Sequence, residues 1–386
     1  LEHGLITEFP TTPQSAQPHQ QTILRLGYMP LTDAAPLLVA QEKRLFARHG
    51  VRVELSRHTA WAGLRDRIAG GTLDGAQMLA PMPLALALGL GGPGRDLSVV
   101  ATLSRNGNTI VIGTDLMADI AAEYRPSGRK TLPANALAQA LARRAQAGLP
   151  PPVFAVVFPF SSHNYLLRHW LATAGIVPER DVRLVVLPPS QVVESLADGM
   201  IAGFCAGEPW GSRAVELGVG HIAVPSSTVW PHHPEKVMAF AAGGDTAARV
   251  AATAALIEAG RWADDPANHH EMVQLLCRDA LPGLPPELIT LILDGSLAFD
   301  PWGPFESVTR MVFAETYPSA REAGWYLDQM RRWGHLPAQT ADLPQIRDIW
   351  RPDLWTRAAQ LLGIAIPDEA AFPLPAPPLE MPEVAA

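Results

Sequence analysis

Short apolar segments alternate with amphipathic helical ones from residue 23 to about 205, and this alternation constrains the fold more than any other feature of the chain. A strand over 23–28 leads through Met29-Pro30 into a helix over 34–49. There Leu37, Leu38, Gln41, Leu45 and Phe46 recur near helical spacing, and Gly50 supplies the stop. A strand over 51–55, a helix over 60–69 ended by Gly70-Gly71, a strand over 73–79, a helix after Pro83 and a strand over 97–103 follow. Strands interleaved with helices predict a parallel-type sheet covered on both faces.

The pattern then restarts. Strands over 109–113, 153–159, 182–187 and 201–205 alternate with helices over 132–147, 164–174 and 191–197, which predicts a second lobe. From Met238 onward helices dominate, over 245–264, 268–278, 285–294 and 317–333, and the Pro-rich end from Phe372 reads as a loose tail. Two α/β lobes with a helical C-terminal part suit a dehydrogenase, a two-domain transferase or a hinged ligand-binding protein. In each, the strand ends at the cleft are the default ligand site.

Several functions are excluded before any site is named. A net charge of −8 lacks the basic face that nucleic acid requires. The two cysteines, Cys205 and Cys277, are far apart and form no metal-binding or disulfide pattern. The N-terminus is acidic and then Pro/Gln-rich to Gln21, with no secretory signal features, so the expected location is the cytoplasm; a leader removed ahead of residue 1 would make it periplasmic. No GxGxxG follows the first strand, and GxxxxGK[ST], GxSxG and HExxH are absent, so the chain reads as a non-enzyme without cofactor or metal. The adjacent pairs His232-His233 and His269-His270 read as surface histidines.

What stands out is a set of polar groups at predicted strand ends. His163 opens a helix in Ser161-Ser-His-Asn164, where free backbone N–H groups favour an anion. Asn108 lies near the crossing between lobes, Trp61 starts the helix after the second strand, Gly207-Glu-Pro-Trp210 follows a buried strand, and Lys236 precedes an apolar one. Each has an ordinary structural explanation taken singly. Only their meeting at one cleft would make a site.

Five segments in this order carry a resemblance: "LGYMPLTDAAPLLVAQEKRLFARHGVRVEL" (26–55), "AWAGLRDRIAGGTLDGAQMLAPMP" (60–83), "FPFSSHNYLLRHWLATAGIVPERDV" (158–182), "DGMIAGFCAGEPWGSRAVELGVG" (198–220) and "WPHHPEKVMAF" (230–240). They resemble the nitrate- and bicarbonate-binding solute-binding proteins of the nitrate/sulfonate/taurine ABC-transporter class, the CmpA/NrtA family. The resemblance implies an α/β fold, periplasmic-binding-protein-like type II, in which two lobes joined by a two-crossing hinge hold an oxyanion. It places lobe 1 at 22–109 plus 222–362 and lobe 2 at 110–221; composition leaves tails at 1–21 and 363–386. It assigns the ligand to Trp61, Asn108, His163, Gly207 and Lys236. Asn108 stands where the family pattern has glutamine.

Within that resemblance, Lys236 stands where bicarbonate binders carry an acidic residue and use calcium. A lysine there favours nitrate or nitrite, planar anions that only accept hydrogen bonds. Its replacement is expected to abolish binding and leave the fold intact. Together with the expected cytoplasmic location, the likeness is nearest to the nitrate/nitrite sensors of the NasS type. Such a sensor implies an RNA-binding antiterminator protein as partner; the alternative is the substrate-binding subunit of a nitrate ABC importer, whose partner is the permease.

Overall fold

A computed structural model describes residues 22–122, 131–336 and 346–376. Ten strands build two five-stranded sheets: β1 (Ile23–Tyr28), β2 (Arg52–Arg57), β3 (Gly75–Leu79), β4 (Leu97–Arg105), β5 (Asn108–Gly113), β6 (Val153–Val156), β7 (Arg183–Val186), β8 (Gly203–Gly207), β9 (Gly220–Pro225) and β10 (Pro234–Ala241). One sheet has the order β2-β1-β3-β10-β4, the other β7-β6-β8-β5-β9. Each has one strand antiparallel to its neighbours in the fourth place, β10 in the first and β5 in the second. These are the strands that arrive from the opposite lobe. Strands β3, β4, β5, β8 and β10 are buried throughout, as sheets covered on both faces require.

The chain passes from the first sheet to the second between Arg105 and Asn108, and returns between Pro225 and Pro234. The second sheet therefore extends past both ends of the 110–221 range expected from the sequence, because β5 and β9 pair with each other along their length. Gly107 holds the first crossing with φ +90°, and a Cβ there would lie 2.3 Å from Met311 Cε. Asn106 N–H donates to His233 O at 3.0 Å, so the two crossings are bonded to one another.

The C-terminal helices form as expected: Thr246–Asp264, His269–Asp279, Pro286–Leu293 and Ala320–Arg332, followed by Pro352–Leu361. A short hairpin, β11 (Ser296–Ala298) with β12 (Phe305–Ser307), was not legible in the sequence. Nor is the segment from 363 a loose tail over its described residues. Phe372 is buried, stacks on Tyr317 and lies under the Arg105 guanidinium, and the Trp230 indole donates to Pro373 O at 2.7 Å. An aromatic ring among prolines had a site to fill, and burying it outweighs the local turn signals. The expected N-terminal tail, 1–21, lies outside the described residues. No helix among the described residues is long and apolar enough to cross a membrane.

Candidate functional site

The five expected residues converge where the C-terminal ends of the strands in the two lobes face each other. Asn108 begins β5 and pairs in register with Gly207 at the end of β8. A Cβ on Gly207 would lie 3.5 Å from Asn108 Oδ1, 3.6 Å from His163 Nε2 and 3.8 Å from Asp33 Oδ2, so a bare glycine backbone borders the cluster. His163 is the second residue of the helix Ser162–Ala172, whose N-cap Ser161 accepts from Asn164 N–H at 3.0 Å. Lys236 lies in β10, opposite Leu79 of β3, with its Nζ 5.4 Å from the Trp61 ring centroid. All five are buried.

Their electrostatic setting differs from the expectation. Lys236 Nζ is already paired, 2.7 Å from Asp33 Oδ2 and 2.5 Å from Glu235 Oε1. Asp33 is held in turn by the Gln77 amide at 2.7 Å. Glu235 Oε2 accepts from Asn108 Nδ2 at 2.5 Å and from the Ser162 hydroxyl, so a carboxylate of the protein itself sits at the N-terminus of the His163 helix. Burial opposes ionisation of Glu235, but Lys236, with His163 and His233, outweighs it and holds the carboxyl at about 2. Burial dominates at Asp33 and raises its pKa despite Lys236. At Lys236, burial is outweighed by the two carboxylates and the pKa rises.

Burial pushes His163 down to about 3, against the pull of Glu235, so the ring is neutral at neutral pH. Its Nε2 lies 3.4 Å from Glu235 Oε1 without hydrogen-bond alignment, and neither ring nitrogen has a partner. Trp61 Nε1 and Asn108 Oδ1 are likewise buried and unpartnered. Four orphaned polar atoms around one ammonium are an uncommon expense in a protein interior, and a small polar ligand would relieve it.

The Glu208-Pro209-Trp210 part of the loop does other work. Glu208 accepts from the Thr109 hydroxyl and the Ser212 amide, while its carbonyl accepts from Thr32 of the first lobe at 3.0 Å. Trp210 instead lines a separate cavity of about 340 Å³ with Leu31, Arg57 and Leu281. Sequence reasoning missed Asp33 and Glu235, and placed Ser162 at the helix start without giving it a part in the site. The one available signal was Glu235-Lys236, two adjacent charges opening an otherwise apolar strand. His233 is fully buried, with Nε2 2.8 Å from Ser226 Oγ, which corrects its reading as a surface residue.

Buried histidines make stability depend on pH. Burial lowers His163 to about 3, and His169, His233 and His335 to about 4. The unfolded chain takes up protons at these rings near pH ~6.5, whereas the folded chain stays neutral until much lower pH. Their contribution is therefore complete above that value and lost as pH falls toward 4. The urea midpoint is expected to be flat from about pH 7 to 8 and to fall steadily below about 6.5. A midpoint unchanged down to about pH 5 would mean that these rings protonate freely in the folded state.

Comparison with known proteins agrees with this architecture. The NMT1-like family model matches residues 17–277. The nitrate/nitrite binding protein NrtA of Synechocystis sp. is 33% identical over 361 residues, spanning 89% of this chain and 77% of that protein. The nitrate import ATP-binding protein NrtC of the same organism is 36% identical, but this chain spans only about half the length of that and the other first curated relatives it matches, 50% in each case. The crystal structure of the periplasmic nitrate-binding protein NrtA from Synechocystis superposes with a TM-score of 0.81 at 30% identity, covering 92% of this chain and 91% of that one. With its two α/β lobes, two crossings and inter-lobe cluster, the chain belongs to the NMT1-like family, among the NrtA and CmpA binding proteins.

Proposed function

We propose that the chain binds one small planar oxyanion, nitrate or nitrite, between its lobes and serves as the solute-binding component of an ABC importer in the periplasm, with the permease as partner. The observation that carries this reading is the ring of unpartnered groups around Lys236: Trp61 Nε1 and His163 offer donors, and Gly207 leaves backbone space beside them. The likeness to NrtA over most of both chains supports the importer role better than the sensor with an antiterminator partner expected from the sequence. Lobe limits follow the crossings, with lobe 2 at 108–225 and lobe 1 at 22–107 plus 226–362.

Bicarbonate is the second reading, favoured by one atom. Asn108 Nδ2 is committed to Glu235, which turns the unpartnered Oδ1 toward Gly207 and His163. An acceptor oxygen there suits the O–H of bicarbonate and has nothing to receive from nitrate.

A thermal-shift panel of nitrate, nitrite, bicarbonate and sulfate tests both readings, because a ligand at about 100 times its Kd adds about 2.7 kcal/mol of stability. Nitrate and nitrite are expected to raise the melting temperature and sulfate to leave it in place. Bicarbonate as the strongest stabiliser would exchange the two readings, and no shift from any anion would end both. Trp61→Phe removes the indole N–H and keeps the ring. It is expected to weaken nitrate binding by about tenfold, near the low end for a hydrogen bond to an ion, with little change in melting temperature. Unchanged affinity in calorimetry would take Trp61 out of the site.

A further inference from the structure

Three of the five groups assigned to the anion already touch one side chain that the assignment does not include. Glu235 Oε1 lies 2.5 Å from Lys236 Nζ and 3.4 Å from His163 Nε2. Its other oxygen takes Asn108 Nδ2 at 2.5 Å and the hydroxyl of Ser162. A carboxylate is planar and monoanionic and accepts hydrogen bonds at two coplanar oxygens, which is the chemistry of nitrate and bicarbonate. Glu235 belongs to the β10 strand of the first lobe, while Asn108, Ser162 and His163 belong to the second, so the contact spans the lobes.

We infer that Glu235 is an intramolecular competitor, whose carboxylate takes the donors that an incoming oxyanion needs and which the oxyanion displaces. This inference rests on the oxyanion reading of the same site. Charge supports it. One ammonium faces Asp33 and Glu235, and a third anion beside these two carboxylates would meet repulsion that one Lys236 does not offset. Moving Glu235 aside frees Lys236 Nζ, the Asn108 amide and the Ser162 hydroxyl together, an exchange of one carboxylate for one anion at constant charge.

The arrangement sets a threshold: a site blocked by its own side chain binds with an affinity reduced by the fraction of molecules in which it is free. If Glu235 fills the seat about nine-tenths of the time, apparent affinity falls about tenfold.

The test is calorimetry of the full chain and its Glu235→Gln and Glu235→Ala variants with nitrate, and separately with formate. Both variants are expected to bind nitrate about tenfold more tightly than the parent. Formate, a small carboxylate, is expected to fill the seat vacated in Glu235→Ala and compete there with nitrate, and to bind the parent about tenfold more weakly. Equal or weaker nitrate binding by the variants overturns the inference, since Glu235 would then position the donors rather than compete for them. Glu235→Gln keeps the side-chain volume and serves where Glu235→Ala fails to fold. Infrared spectra of the parent with labelled glutamate carboxyls add a reading that needs no variant: nitrate should shift one buried carboxylate band, and an unchanged spectrum from nitrate-bound protein counts against displacement. If no form binds nitrate, the nitrate reading fails and the inference falls with it, even where formate binds Glu235→Ala. If the parent binds nitrate and neither variant binds it more tightly, the competitor alone fails.

Discussion

Replacing Lys236 with methionine is expected to destabilise the protein by about 3–5 kcal/mol, the usual cost of leaving a buried charge without its partner. Lys236 has no exposed side-chain surface, and its ammonium is the cation shared by Asp33 and Glu235 in the same closed interior. This reverses the expectation that the lysine serves only the ligand and that its loss would spare the fold. The methionine conserves most of the volume, so the loss reports charge rather than a cavity. Urea denaturation checks it. The triple variant Lys236→Met, Asp33→Asn, Glu235→Gln should recover most of the deficit, because all three charges then leave together. A parent-like midpoint for Lys236→Met alone would show that the two carboxylates do not depend on it, and the electrostatic account of the site would fall.

Arg105→Met is expected to cost a similar amount, about 3–5 kcal/mol. The Arg105 side chain is fully buried and paired with Glu322 at 2.5 and 3.2 Å. It also donates to the carbonyls of Glu315, His232 and Tyr317. Burial already raises the pKa of Glu322 in spite of this partner, so removing the guanidinium leaves a carboxyl that would have to take up a proton. Arg105 ends β4 at the first crossing, and His232 lies in the second, so the substitution also loosens the joint between the lobes. Hydrogen exchange should show the Asn106 amide, bonded across the crossings, losing protection ahead of the sheet interiors. Adding Glu322→Gln should restore part of the stability. A loss below about 1 kcal/mol, the range of exposed ion pairs, would mean that water reaches this one.

Much of the architecture was legible because helical and strand periodicities are local. The helix over 34–49 was placed from Leu37, Leu38 and Leu45; in the structure it divides into Ala35–Glu42 and Leu45–Arg48, with Arg44 in the left-handed region at φ 53°. Apolar runs at 97–103 and 237–240 could be read as strands, but nothing local shows that β10 inserts between β3 and β4 from the far side of a second lobe. That pairing joins segments more than a hundred residues apart. The Phe372 contact with Arg105 and Tyr317 was hidden for the same reason, and the Pro-rich composition around it pointed the other way.

The site divides along the same line. Trp61, Asn108, His163, Gly207 and Lys236 were reached from strand ends and a family resemblance, and they meet at one cluster. Their charge state was not legible. An isolated lysine in a sequence reads as a free cation, because the pKa and pairing of a side chain depend on distances that only folding creates. By itself, the order of residues determined two α/β lobes and a helical C-terminal part, since periodicity is a property of neighbours along the chain; the five cluster residues came with the family resemblance. Only the tertiary structure decided that Asp33 and Glu235 would share the ammonium of Lys236 and that Glu235 would sit at the N-terminus of the helix Ser162–Ala172. Coulomb energy and desolvation act through space, and folding brings Asp33 and Ser162 to the adjacent Glu235-Lys236 pair from far along the chain.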